Sequence, residues 1–374
     1  MLSRVTADID SVLLGAGELV VDLGALAANY ATLQRLQPQA RVAGVVKADA
    51  YGLGAREVAT TLYKAGARDF FVAHLVEALD LRRILPREAS LYVLNGLAPG
   101  AEAIAADAGI VPVLNGLDQV LRWSAECTLR GQRLAAAVQV DSGMTRLGLA
   151  RAEVDILTAD PGILAAIDVV LVMSHLACAD EPNSPANAAQ FAEFCALTER
   201  LPPAPRALGN SGAAFLNGFG FDLIRPGLAL YGVHPVSDKG SPLKPVVTLR
   251  APVVQLRDVP AGVGVGYGLT HTTEGVRRLA TVAVGYADGW PRALSNRGAM
   301  VFDGVRLPIV GRVSMDSTII DVTALPDGAL KPGDMVELVG PHQSLPDVAR
   351  DAGTIPYEIL TGLGHRFARR YETA

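Results

Sequence analysis

Through the first two-thirds of the chain, short and almost unbroken apolar runs alternate with segments of helical periodicity, and this alternation constrains the fold more than any other feature. The runs are RVAGVV (41–46), DFFVAH (69–74), SLYVLN (90–95), GIVPVL (109–114), AAAVQV (135–140), DVVLVMS (168–174), RALGNS (206–211) and DLIRPG (222–227). A strand with one wet face alternates apolar and polar residues. A continuous apolar run has no wet face and is expected where helices cover both sides of a parallel sheet. Between the runs, AREVATTLYKAGA and NAAQFAEFCALTERL place apolar residues at helical spacing. Eight such units predict an α/β fold, an N-terminal (β/α)8 TIM-like barrel. The seventh and eighth runs are weak strand formers and owe part of their place to the count.

Around PVSDKGSPLKPVV (235–247) three prolines mark a linker. Beyond it VVTLRAPVVQL, GVRRLATVAVGYADG, AMVFDGVRLPIVGRV, STIIDVT and DMVELVG read as strands separated by Gly, Pro and Asp-Gly turns. LPDVARDAG and PYEILTGLG read as two short closing helices. The expected organisation is a barrel over 1–240, whose first residues could pair with the second domain, and a mainly-β C-terminal domain over 241–374.

With half its residues hydrophobic and 19% charged, the chain has the composition of a globular core. A net charge of −5 and the lack of any Lys/Arg run argue against nucleic acid or an anionic membrane surface as a partner. Cys127, Cys178 and Cys195 are odd in number and lack metal-type spacing, so neither a disulfide framework nor a metal is expected. No apolar stretch approaches a membrane span, and the N-terminal apolar run is broken by Asp8, Asp10 and Glu18, unlike a signal peptide. The expected location is cytoplasmic.

A barrel of this kind carries its site at the C-terminal ends of its strands. Lys47, Asp49 and Tyr51 follow the first run. Asp141, Ser142 and Arg146 follow the fifth, and His175 the sixth. Asn210 and Ser211 end the seventh, and Arg225, Pro226 and Gly227 the eighth. Barrels often bind phosphate beside strands seven and eight, which points to Ser211 and the N–H groups near Gly227 and Leu228. On their own, the Asn-Ser and Pro-Gly pairs are more often plain turns. A lysine closing a buried strand, beside other cations, is expected to have a lowered pKa and a nucleophilic amine. Lysine and phosphate cradle together are the minimum equipment for pyridoxal 5′-phosphate (PLP).

These residues also carry a family resemblance. AGVVKADAYGLGA (43–55) resembles the PLP-attachment motif of the alanine racemase family. DSGMTRLG (141–148), SHLACAD (174–180), GNSGA (209–213), RPGLALYG (225–232), GYG (266–268), GYADGWPR (285–292), GRVSMD (311–316) and PYEIL (356–360) continue that family's pattern in order. The resemblance implies a homodimeric PLP-dependent isomerase that interconverts L- and D-alanine by two-base proton transfer, either to supply D-alanine for peptidoglycan or in alanine catabolism. It implies Lys47 as cofactor anchor and one base, and Tyr267 as the second base, entering from the partner subunit and assisted by His175. Arg225 would meet the pyridine nitrogen, Tyr51, Tyr357, Ser211, Gly227 and Leu228 the phosphate, and Asn210 would also line the cofactor. Arg146 and the Met315 N–H would meet the substrate carboxylate, and Tyr286, Arg292 and Asp316 would narrow the entry corridor.

One position departs from the pattern. Many members carry a carbamate-modified lysine seven residues before the arginine of DSGMTR, and this chain has Gln139 there. An uncharged amide can accept a hydrogen bond but orients Arg146 without charge. Rival readings are a racemase of serine or a basic amino acid, a PLP-barrel decarboxylase, and a non-catalytic PLP-binding protein. The decarboxylases use a second-domain cysteine, and no cysteine here lies beyond 195. The non-catalytic proteins resemble the barrel alone.

Overall fold

The computed structural model describes residues 17–236 and 240–373. The N-terminal stretch read against a signal peptide, and part of the proline-marked linker, lie outside these. The chain divides into two compact units, Ala25–Lys244 and a unit drawn from both ends, Met1–Gly24 with Pro245–Ala374.

In the first unit, seven strands pair in parallel, each with the next: Gly44–Val45, Asp69–Val72, Ser90–Val93, Val111–Leu114, Ala135–Gln139, Asp168–Met173 and Arg206–Ala207. An eighth strand, Leu223–Ile224, pairs in parallel with Arg41–Val42, one residue ahead of the first. Its flanks donate backbone N–H groups toward the seventh strand (Asp222 to Arg206 O, 3.0 Å; Arg225 to Gly209 O, 2.9 Å), so hydrogen bonds run along both edges and close the barrel. The first expected run is thus split at Ala43, and the last two strands are only two residues long. DFFV and VPVL are buried at every position, as unbroken apolar runs require. Helix Ala55–Lys64 covers the sheet with Val58, Ala59 and Leu62, which lie on one helical face.

The second unit is built around Val247–Val259, long enough to bridge several partners. It pairs antiparallel with Glu18–Asp22, Arg277–Val282 and Met335–Val339. Ala368–Glu372 adds in parallel to Glu18–Asp22, so the two ends of the chain share one sheet. A hairpin joins Ala299–Phe302 to Val305–Pro308. Its turn, Asp303-Gly304, has φ of 47° and 76°, the geometry that favours Asp-Gly between twisted strands. Helices Leu345–Ala352 and Pro356–Gly362 follow the strands, the first capped by the Ser344 side chain.

Candidate active site

The barrel's first strand ends in an unusual turn. After Lys47 the residues Ala48, Asp49, Ala50 and Tyr51 all adopt left-handed helical angles, with φ of 53°, 53°, 52° and 61°. None is glycine, and each such L-residue costs ~1–2 kcal/mol. The turn persists because its polar groups are tied down. The Glu77 carboxylate accepts the N–H of Ala48 (2.6 Å) and also those of Ala73 (2.7 Å) and His74 (2.9 Å), lashing the turn to the loop after the second strand. Asp49 Oδ1 accepts the Ala55 N–H at 2.7 Å and so starts the next helix. The turn brings Tyr51 back over the barrel axis, where its ring meets that of Tyr231 at 4.9 Å. The Tyr231 hydroxyl in turn donates to Val45 O at 3.0 Å.

Tyr51 and Gly227 are matched. A Cβ at residue 227 would lie 2.1 Å from the Tyr51 hydroxyl, so only glycine fits beneath it. Beside them Ser211 Oγ accepts the N–H groups of Gly227 (2.9 Å) and Ala229 (3.3 Å). The Leu228 N–H has no acceptor among the described residues. Tyr51 hydroxyl, Ser211 hydroxyl and a free backbone N–H therefore converge on a concave patch floored by glycine, which is the donor set a phosphate needs. Asn210, expected at the cofactor, lies in the turn just before Ser211. Its Oδ1 accepts the N–H groups of Gly212 and Ala213, both at 3.1 Å, and it shapes the turn that presents Ser211.

Arg225 lies almost wholly buried. It donates to Ala207 O at 2.8 Å and to Ser174 O, and lies 3.5 Å from His175 Nδ1. Its Nε–H has no acceptor among the described residues and is left to meet a ligand. Burial lowers the guanidinium pKa to about 10, which leaves it charged at neutral pH. His175 feels burial first, then the positive charges of Arg225, Arg146 and Lys47, and its pKa falls to about 3. A guanidinium can only donate, so Nδ1 of this neutral ring accepts and Nε2 carries the proton. The Nε2–H of this neutral ring is a hydrogen-bond donor. Burial and then the Arg146 charge hold the Lys47 amine below the usual lysine value, while Glu77 pulls it up.

Arg146 leaves the fifth strand on a loop shaped by Asp141, whose Oδ1 accepts the N–H groups of Gly143, Met144 and Thr145 at 2.9–3.0 Å. Its guanidinium has no hydrogen-bond acceptor among the described residues. Gln139 is buried at the strand end, and its amide makes no hydrogen bond to Arg146.

The structure thus brings Lys47, Tyr51, Arg146, His175, Asn210, Ser211, Arg225, Gly227 and Leu228 to one end of the barrel. Tyr267, Tyr286, Arg292, Met315, Asp316 and Tyr357 belong to the second unit. There Tyr267 and Met315 are well exposed, 71% and 53%, in short turns between strands. The Met315 carbonyl accepts the Ala287 N–H at 2.9 Å, while its own N–H has no acceptor among the described residues.

A model of the alanine racemase N-terminal domain matches residues 21–235, and one of the C-terminal domain matches 246–371. The chain belongs to the alanine racemase family. Family members include a catabolic alanine racemase from Agrobacterium fabrum, 54% identical over 95% of this chain and 92% of that one, and an alanine racemase from Brucella canis, 54% identical over 96% and 94%. Among solved members, the alanine racemase from Bartonella henselae with covalently bound pyridoxal phosphate superposes with a TM-score of 0.93 at 44% identity, covering 96% of this chain and 99% of that one. The alanine racemase from Streptomyces coelicolor gives 0.90 at 34% identity, covering 97% and 99%.

Reading the sequence of this family member missed three residues: Glu77, Asp141 as the loop's internal acceptor, and Arg366. Glu77 sits three residues after His74, the spacing of a capping box, but histidine at the N-cap hides that signal. Arg366 was overlooked because its partners lie some 50 and 78 positions away.

Proposed function

We propose that this chain interconverts L- and D-alanine with PLP held covalently by Lys47. The observation that carries the reading is Arg225: a buried, charged donor with one N–H left over, at the same barrel end as a low-pKa lysine and a glycine-floored phosphate cradle. Bound there, PLP supplies an electron-withdrawing ring conjugated to the amino acid's nitrogen, which acidifies the Cα–H.

The residues fit that group. Tyr51, Ser211 and the Leu228 N–H hold the phosphate, with Tyr357 as a further hydroxyl donor. Arg225 presents a proton that it does not surrender, so the ring nitrogen it meets stays unprotonated. An aspartate at this place would favour a protonated ring and wider carbanion chemistry. The arginine narrows the outcome to return of a proton at Cα. Lys47 takes or returns that proton on one face. The Tyr267 phenol does so on the other, with the His175 Nε2–H donating to its oxygen and favouring the phenolate. Arg146 and the Met315 N–H hold the substrate carboxylate, and Tyr286, Arg292 and Asp316 restrict entry to a small side chain.

Tyr267 and Met315 act in the barrel of a second copy, so the working unit is a homodimer. Their exposure in the single chain supports this, because side chains with such roles are not left to bulk water. No described helix is long and apolar enough to cross a membrane. Described cysteines are free, which fits a cytoplasmic enzyme supplying D-alanine for peptidoglycan.

The test is a chiral assay of purified protein with PLP and a panel of L-amino acids. The expected result is equal amounts of L- and D-alanine at equilibrium, with serine and basic amino acids far slower. A yellow protein inert to every amino acid would favour a binding protein. Tyr267→Phe should slow the two directions unequally, since each base serves one enantiomer. Equal, mild losses would remove Tyr267 from the reaction.

A further inference from the structure

Arg366 is a residue that neither the sequence motifs nor the proposed chemistry uses. All three of its guanidinium nitrogens are engaged. Nε donates to Asp288 Oδ1 at 2.6 Å, Nη2 to Asp288 Oδ2 at 3.1 Å, and Nη1 to Asp316 Oδ1 at 2.6 Å. The two carboxylates lie on different loops. Asp288 belongs to the turn with Tyr286, is only 5% exposed, and also accepts the Gly285 N–H at 2.8 Å. Asp316 follows Met315.

The two loops meet backbone to backbone. The Tyr286 N–H donates to Ser314 O at 3.0 Å and the Ala287 N–H to Met315 O at 2.9 Å. A Cβ on residue 285 would come within 2.3 Å of both those carbonyl oxygens, so only glycine permits the approach. The Ser314 carbonyl and the Met315 N–H belong to one planar trans peptide, so the bond from Tyr286 that holds this carbonyl also sets the direction of the Met315 N–H. That direction holds as long as the loops stay in register, and the guanidinium fork spans both of them. The bidentate pair with buried Asp288 is the strong arm, and the exposed arm to Asp316 completes the bridge.

We propose that Arg366 is a positioning residue for carboxylate recognition: by clamping Asp288 and Asp316 it aims the Met315 N–H and seats Tyr286. This rests on the racemase reading given above. The planar fork is essential, because an ammonium cannot engage both oxygens of Asp288 and reach Asp316.

The experiment compares wild type with Arg366→Met, Arg366→Lys and the double variant Arg366→Met/Asp288→Asn, each as holoenzyme. Arg366→Met should raise KM for both enantiomers about tenfold, the worth of one hydrogen bond to a charged group, with kcat changed less than about threefold. Arg366→Lys should recover part of that loss. The single Met variant also strands a buried carboxylate, and Asn relieves it. The double variant should therefore regain thermal stability without regaining KM. Amide exchange in 285–289 and 314–317 should speed up in both Met variants. A KM restored together with stability in the double variant, or a KM within about twofold of wild type in Arg366→Met, would overturn the proposal. Wild-type protein that racemises nothing would defeat the racemase reading instead, and loop exchange would still report whether Arg366 ties the two loops.

Discussion

The left-handed turn after Lys47 makes a prediction whose sign is diagnostic. Ala48 is exposed, so replacing it changes the backbone and little else. In a right-handed helix Ala→Gly costs ~1 kcal/mol and Ala→Val somewhat less. Here φ is 53°, and the Cβ of Ala48 opposes the following carbonyl. Glycine relieves ~1–2 kcal/mol of that strain and returns ~0.5–1 kcal/mol through the greater freedom of its unfolded chain. Ala48→Gly should therefore stabilise the barrel by about 0.5–1 kcal/mol. Ala48→Val, branched at Cβ, should destabilise by more than ~1 kcal/mol, since a branched residue at positive φ is an outlier. Urea unfolding of the cofactor-free protein, followed by the fluorescence of Trp123 in the barrel unit, measures both. If both variants lose stability, with glycine the worse, the turn is right-handed in solution and the account of how Lys47 is presented fails.

Four further outcomes follow from the site. Folding lowers the His175 pKa from 6.5 to about 3, so the unfolded chain binds more protons in that interval; this part of the stability is present above pH ~6.5 and declines as pH falls toward ~3. His175→Gln should flatten that acid limb in pH-dependent unfolding, and an unchanged limb would mean the ring is not buried neutral. Glu77→Gln replaces an oxygen facing backbone N–H groups with an amide donor, and should destabilise by about 1–3 kcal/mol. It should also shift cofactor capture by apoprotein to lower pH, because Glu77 holds the Lys47 pKa up and the neutral amine is the reactive form; titrating absorbance against pH checks this. Gly227→Ala forces the Tyr51 hydroxyl aside and should weaken PLP binding, read by equilibrium dialysis, while leaving racemisation detectable at saturating PLP. Removing PLP should lower the unfolding midpoint, by the equivalent of ~2.7 kcal/mol for cofactor at a hundred times its dissociation constant, and an unchanged midpoint would place PLP elsewhere.

Six of the barrel strands were legible because each is buried on both faces and so leaves an apolar run that solvent does not interrupt. The last two were barely so. Arg206–Ala207 and Leu223–Ile224 contribute two residues each, and the rest of their segments is rim and loop. The handedness of the Lys47 turn was invisible. Lys, Ala and Asp carry no signal for positive φ, and what holds the turn is a carboxylate 29 positions beyond Ala48. The bonds by which Asn210 shapes the turn before Ser211 were not legible either, because an asparagine that shapes such a loop and one that touches a ligand look alike in sequence. The protonation of His175 also lay out of reach. It depends first on burial and then on three cations supplied by three other strands, and no local pattern records that convergence.

Those three cations state what the barrel lacks. Lys47, Arg146 and Arg225 gather at one end; Glu77 accepts three backbone N–H groups while it raises the Lys47 pKa, and Asp141 accepts three more through Oδ1. At Gln139, where a charge could have balanced Arg146, the chain has an uncharged amide. Burial first, and then the neighbouring cations, lower the lysine pKa and keep the histidine neutral, and anions bound there would offset the part that the cations contribute. A ligand that brings a phosphate at one end and a carboxylate at the other supplies those anions. Under the proposed racemase reading the carboxylate meets Arg146, and Arg225 donates to a ring nitrogen without ceding its proton. On that reading the charges along the rim select the ligand first, and Arg225 restricts its chemistry afterwards.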